Sequence, residues 1–401
     1  MADRLAIAVC GAGIGGLASA VLLARQGHQV TLFERFETPR PLGSGFVLQP
    51  TGMAVLDALG LADAIGERGA WIDRLFGRSQ PFGATVLDVR YAALDPGYRG
   101  LAVQRAALFD LLHDTVRREG VAIRPGMTVR RALRGMLACD DYAPVGPFDL
   151  IVDALGARST LSGGVPGRTL DYGALWATLD WPENGPFAAD ALEQRYRGAS
   201  RMVGVMPVGA IGTQGAKATF FWSLRHDAHA DWRAAPLDAW KDEVRALWPE
   251  TAVLLDGIGG HEDLAFARYR HRTLRRPYAD GIVHVGDSYR ATSPQLGQGA
   301  NMALLDAFAL AQAVKTEGRA EIGPTYAQLR QGHVRLFQTM SRLFTPAYQS
   351  DGRALPFVRD RLVGPLSRVR PAPAILGAIV AGTLGRPLAR LGLEPYRIRT
   401  P

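Results

Sequence analysis

The chain has 401 residues, 46 Lys and Arg against 38 Asp and Glu, and a formal net charge of +8. Apolar residues make up 47% and charged ones 21%, a globular balance that argues against disorder, and no apolar run reaches the roughly 20 residues of a membrane span. Cys10 and Cys139 cannot build a disulfide framework, so a reducing cytoplasm is the expected setting. Lys217, Lys241 and Lys315 are the only lysines. The remaining cations are arginines scattered along the chain, without a basic block or zinc-ligand spacing, which argues against a nucleic-acid partner or a metal site.

In chain order, Leu5–Cys10 is a short apolar run that predicts a buried parallel strand. Glycines follow at 11, 13, 15 and 16, and Leu17–Ala24 is rich in helix formers and closes near Gly27. A second strand, Val30–Phe33, ends on Glu34. Residues 105–118 predict a helix, and 121–123 and 149–153 predict strands. Between about 170 and 275 the texture changes to β-prone segments separated by turns, holding six of the seven tryptophans, which predicts a mostly antiparallel sheet. Strand returns at 282–285 and helix at 301–314. From about 325 the chain reads as helices broken at Pro346, Pro356, Pro365 and Pro371.

Gly11-Ala12-Gly13-Ile14-Gly15-Gly16 fits G-x-G-x-x-G between a strand and a helix. Gly11 permits the tight turn, Gly13 lets backbone approach a pyrophosphate, and Gly16 permits close helix–strand packing. The helix N-terminus offers N–H donors to phosphates. Glu34, 18 residues after Gly16, stands where a carboxylate accepts from an adenosine ribose. Alone, the motif fits NAD or FAD.

The second glycine-rich block separates them. Ile282–Val285 runs into Gly286-Asp287, a polar loop, then Pro294-x-x-Gly297-x-Gly299-Ala300-Asn301 opening a helix. Asp287 can accept from ribitol hydroxyls, and Gly297 and Gly299 let backbone lie flat along a ring system. The N–H groups near Ala300 and Asn301 face negative charge at that helix end.

With these residues the chain resembles the class A flavoprotein monooxygenases, the para-hydroxybenzoate hydroxylase-like group. Arg40-Pro41-Leu42-Gly43-Ser44-Gly45 resembles the family's R-x-x-G-x-G segment, and Gln104-Arg105 its arginine-bearing helix start. Asp306 matches the acid of the helix that follows. The resemblance implies a Rossmann-like FAD-binding domain with a parallel sheet (1–75, 96–168 and 276–325), a mostly antiparallel substrate domain (76–95 and 169–275) and a C-terminal helical segment (326–401). It implies FAD contacts from the first glycine motif, Glu34, Arg35, Arg40, Gly45, Arg105, Asp287 and the second block. NADPH or NADH would reduce FAD, and O2 would give a flavin C4a-hydroperoxide that oxygenates an aromatic or other apolar small molecule. Two positions depart from the family: Leu155 replaces the aspartate of D-G-x-x-S, with Asp153 two residues earlier, and Arg290 replaces the histidine of G-D-A-A-H.

The substrate pocket is expected between flavin and middle sheet, lined by Trp176, Met206, Phe221 and Trp222. His226, His229 and Tyr172 are weaker candidates for deprotonating a phenol. The Leu155 departure motivates the alternative of a dehydrogenase or desaturase of the same fold that does not use NAD(P)H. A halogenase would need a W-x-W-x-I-P signature, which is absent. Arg359, Arg361, Arg368, Arg370, Arg386 and Arg390 surround apolar residues near the C-terminus. That pattern fits a membrane-surface or protein contact, but a buried helical cap explains it too and is the favoured expectation.

Overall fold

The structure is a computed structural model that describes residues 4–38, 44–80, 83–165, 167–210, 212–213 and 215–398. Its first sheet runs in the order Tyr278–Ala279, Ile282–His284, Leu150–Asp153, Ala6–Cys10, Gln29–Phe33 and Ala122–Arg124. Every neighbouring pair is parallel except the outer hairpin of the first two strands. Ile7, Val9 and Cys10 are fully buried, because helices cover the face of Ile7 and Val9 while the hairpin of Val129–Leu133 and Met136–Cys139 covers that of Ala8 and Cys10; hence the continuous apolar run. Leu17 and Val21 of the helix Ile14–Arg25 share one core with Leu108 of Arg105–Arg118 and Leu304 of Gly299–Thr316. Burying each such side chain contributes about 1.5–3 kcal/mol. The order reverses between Ala6–Cys10 and Leu150–Asp153, which opens a crevice at the strands' carboxyl ends.

The second sheet has eight strands, in the order Arg290–Ala291, Ala265–Thr273, Arg168–Asp180, Lys217–Arg225, Arg201–Pro207, Ala191–Arg197, Arg74–Ser79 and Ala84–Arg90. It is antiparallel except where Ala191–Arg197 runs parallel to Arg74–Ser79. One face carries Leu175, Phe220 and Trp222 against Trp232 and Trp240 of the helices His229–Ala234 and Leu237–Leu247. The opposite face carries Thr219 and Phe221, and there the Gly45 N–H donates to Thr219 Oγ1 at 3.2 Å. A small sheet of Phe46–Leu48, Gly100–Val103 and Ala70–Ile72 shares Leu48, Leu101 and Val103 with the core of the first sheet, and packs Val47, Ile72 and Ala102 with Met206 of the second.

Two of the expected helix breaks are absent. Ile322–Tyr348 is one 27-residue helix that contains Pro346 in its last turn, and Pro356 lies inside Ala354–Val358. Proline removes a donor, which costs little in a first turn, where the N–H has no helical acceptor, and forfeits one bond near an end. Pro365 opens Gly364–Leu366 and Pro371 precedes Ala372–Val380.

Candidate active site

The first glycine motif forms the turn between Ala6–Cys10 and Ile14–Arg25. Gly11 has φ +106°, and a Cβ there would lie 2.5 Å from the Ala154 carbonyl oxygen; at Gly16 a Cβ would lie 1.9 Å from the Gly11 carbonyl oxygen. Both glycines are therefore required by packing alone. Gly13 differs: a Cβ there would meet nothing within 4 Å, so its backbone borders open space. No side chain caps this helix and no acid stands in its first turn, which leaves the end to an anion. Gly15 faces Ala303 and Val285, so both motif helices start beside one another.

Glu34 ends the second strand half-buried. Its Oε2 accepts from the Ala12 N–H at 2.9 Å and Oε1 from the Phe36 N–H at 3.1 Å, and each oxygen keeps a lone pair for a hydroxyl donor. Arg35 is exposed over the Phe36 ring. Arg40 lies outside the described residues. Arg105 opens its helix with its guanidinium 5.0 Å from the Phe46 ring centroid, next to Gly45. Arg105 Nε, Gln104 Nε2 and Ser293 Oγ are buried without a protein partner. Such groups are costly unless something else satisfies them.

Asp287 retains accessible surface, yet the surrounding protein pushes its carboxyl upward against the pull of Arg290, Arg105 and Arg272. Accessible area together with strong desolvation describes the wall of a deep cleft rather than outer surface. Burial also lowers the Arg105 guanidinium, opposed by Asp287. Pro294 opens a 3-10 turn ending at Gly297, and Gly299 and Ala300 start the motif helix. Gly299, like Gly13, borders open space. Asn301 has a different task from the one its position suggests. Its fully buried side chain accepts from the Gln49 N–H at 2.8 Å and donates to the carbonyls of Val47 and Gly297. It clamps the helix to the strand beside Gly45, leaving only backbone to face a ligand.

Beneath the second block lies an ionic framework that sequence reading missed. Asp306 is fully buried; it accepts from Arg330 Nε at 2.7 Å, from Arg290, and from the Gly286 N–H at 2.9 Å. Arg290 thus neither faces solvent nor stands free at the cofactor. Arg272 ties Ser162 Oγ to the carbonyls of Asp287 and Ser288. Asp153 does not replace the aspartate missing at Leu155. Its Oδ1 accepts from the Leu155 N–H, and its Oδ2 from Ser159 and from His284 Nδ1 at 2.7 Å, the last two buried. The signal for these partners was only the presence of charged residues in apolar strands and helices.

The four expected substrate-lining residues separate. Trp176 is half-buried; its ring centroid lies 4.8 Å from that of Phe221, and its Nε1 donates to the Tyr269 hydroxyl at 2.9 Å. Met206 lies on the same face but within a closed cluster with Val47, Tyr91 and Val380. Trp222 is a correction: strand alternation turns it to the other face, edge-on to Trp240 at 6.4 Å. Tyr172 donates to Asp351, and His229 stacks on Phe266, which packs with the Trp222 cluster. Tyr269 was missed, although the alternation in Ala265–Thr273 could have shown it. Burial pushes its phenol upward, against the pull of the Trp176 indole, so its proton stays in place at neutral pH.

Open space above Gly13 and Gly299, two uncapped helix ends and the unpartnered Arg105, Gln104 and Ser293 together fit an elongated anionic dinucleotide. The comparisons agree. A family model described as FAD binding domain matches residues 4–134 and 177–336. The chain is 30% identical over 328 residues to 6-methylpretetramide 4-monooxygenase of Streptomyces rimosus, covering 78% of this chain and 75% of that one. Its fold is similar to a 2-methyl-3-hydroxypyridine-5-carboxylic acid oxygenase, with TM-score 0.79, 19% identity and coverage of 97% and 98%. It is also similar to Klebsiella pneumoniae HpxO complexed with FAD and uric acid, with TM-score 0.80, 20% identity and coverage of 96% and 99%. These kinships favour oxygenation over the dehydrogenase alternative, and the chain belongs to the FAD-dependent monooxygenases of the para-hydroxybenzoate hydroxylase-like family.

Proposed function

We propose that this monooxygenase hydroxylates an aromatic or other apolar small molecule bound between the cofactor cleft and the face of the eight-stranded sheet that carries Trp176, Phe221 and Tyr269. The observation that carries the reading is the Trp176–Tyr269 pair. The indole N–H occupies the phenol oxygen, which fixes the hydroxyl and leaves its proton for a polar atom on an otherwise apolar ring. The substrate in its relative's name, 6-methylpretetramide, supports this class.

FAD, reduced by NADPH or NADH, supplies the oxygen-activating chemistry when bound. The chain's own part is placement. Backbone at Gly11–Gly16 and the end of that helix receive the pyrophosphate, Glu34 the adenosine ribose, Arg105 and Asp287 the ribitol region, and backbone at Pro294, Gly297, Gly299, Ala300 and Asn301 the ring. Trp176 and Phe221, 4.8 Å apart between ring centroids, would give the substrate an apolar wall. The division into a discontinuous FAD-binding domain, a substrate domain and a C-terminal segment after residue 325 belongs to the same proposal, as does a cytoplasmic place of action. A screen of aromatic and polycyclic compounds for stimulated NADPH and NADH oxidation, followed by 18-O2 labelling, tests the reading. Label in the product is expected, and substrate turnover without label would overturn it.

A further inference from the structure

The C-terminal segment was expected to be a buried cap, and half of that expectation fails. Thirteen large apolar side chains are exposed among the described residues, and eight of them lie between Leu355 and Ile375. Phe357 is 63% exposed, Leu366 64% and Val369 61%. The segment is nevertheless anchored. Arg359 is 2% exposed and donates to the carbonyls of Ala347 and Gly198 as well as to Asp360. Gly364 packs so closely on the Thr85 carbonyl that a Cβ would lie 2.5 Å from it. The base faces the sheet edge while the apolar side chains point away from it. An exposed apolar concentration on this scale marks an interaction surface.

Charge selects the occupant. Arg353, Arg368 and Arg370 are exposed around this apolar face. Asp360 is the only acid between Ala354 and Leu393, and it accepts from Arg359 and Ser79. A two-fold contact with a second copy would set this arginine rim against itself. Anionic headgroups over an acyl boundary complement both features at once: arginines at the phosphate level, with Phe357, Leu362 and Leu366 below it. No described helix is long and apolar enough to cross a membrane. We infer that residues 353–375 form a docking face that seats the enzyme peripherally on an anionic lipid surface.

The test uses the full-length, FAD-loaded protein with vesicles of phosphatidylcholine alone or mixed with phosphatidylglycerol, at low and at high salt. Sedimentation with the anionic vesicles only, lost at high salt, is expected. Arg368→Ala with Arg370→Ala should lower partitioning about 25-fold, taking roughly fivefold per arginine. Phe357→Ser with Leu366→Ser should lower it by at least about tenfold. Both pairs should keep flavin absorbance and basal NAD(P)H oxidation. Failure to sediment with anionic vesicles, or equal binding to neutral ones, overturns the inference. So does a stable dimer in light scattering that Leu366→Ser dissociates, because it assigns the face to a second copy. If a variant fails to fold, the wild-type comparison of the two vesicle types decides alone.

Discussion

Replacing Asp306 by Asn keeps the side chain's volume but removes its charge and turns one acceptor oxygen into a donor. In the native site both oxygens are committed: Arg330 Nε at 2.7 Å on one, Arg290 and the Gly286 N–H on the other. Whichever way the amide turns, one buried donor faces an N–H instead of an oxygen. Removing one partner of a buried ion pair costs about 3–5 kcal/mol, a large share of the roughly 5–15 kcal/mol that holds a folded protein together. Urea unfolding of the cofactor-free protein measures that loss directly. Gly286 leads into Asp287, so the same change should loosen the cleft wall and weaken FAD affinity by about tenfold, equivalent to ~1.4 kcal/mol, read by flavin fluorescence. A loss below about 1 kcal/mol with unchanged FAD affinity would refute the framework argument, since surface pairs behave that way. A triple change of Asp306→Leu, Arg290→Leu and Arg330→Met should recover much of the stability, because apolar packing replaces the buried charges.

Gly16→Ala should abolish soluble expression, because its Cβ meets the Gly11 carbonyl oxygen at 1.9 Å. Gly13→Ala meets nothing within 4 Å and should keep stability within about 1 kcal/mol while yielding colourless protein; equal FAD content in wild type and Gly13→Ala would sink the cradle. Trp222→Phe should lower thermal stability with near-normal turnover, whereas Trp176→Phe should lower kcat/KM with little change in Tm; the reverse pattern would contradict the face assignment. Burial raises the phenols of Tyr91, Tyr196 and Tyr326, and pushes Tyr289 up to about 12, with Asp306 adding to the shift at Tyr289 and Tyr326. A folded value raised above the unfolded one gives stability that is complete below about pH 10 and lost above it, at about 1.4 kcal/mol per group per pH unit. Absorbance at alkaline pH should therefore show these phenols ionising only together with unfolding.

The cofactor cleft was legible in the sequence because its requirements are local. Gly11, Gly13, Gly16, Gly297 and Gly299 mark where backbone must turn or stay bare, and strand–turn–helix context follows within a few residues. The framework beneath it was not legible, since Asp306 and Arg330 are 24 residues apart on separate helices and Arg290 lies on a short strand. Trp222 failed for a physical reason: residues 218–224 are buried on both faces, so the alternation that would sort Phe221 from Trp222 leaves no polar trace. The C-terminal arginines mixed both outcomes, one buried as an anchor and others exposed, and an amphipathic pattern alone does not say which side meets protein.

The strand order has a consequence for how this chain is made. Ala6–Cys10 pairs on one side with Gln29–Phe33, available almost at once, and on the other with Leu150–Asp153, about 140 residues later. At roughly 5–20 residues per second, one edge of a fully apolar strand waits on the order of ten seconds for its neighbour. The wall bearing Asp287 comes later still. The nascent chain must shelter a half-built sheet through most of its synthesis, which marks that interval as the one in which chaperone supply and synthesis temperature decide yield.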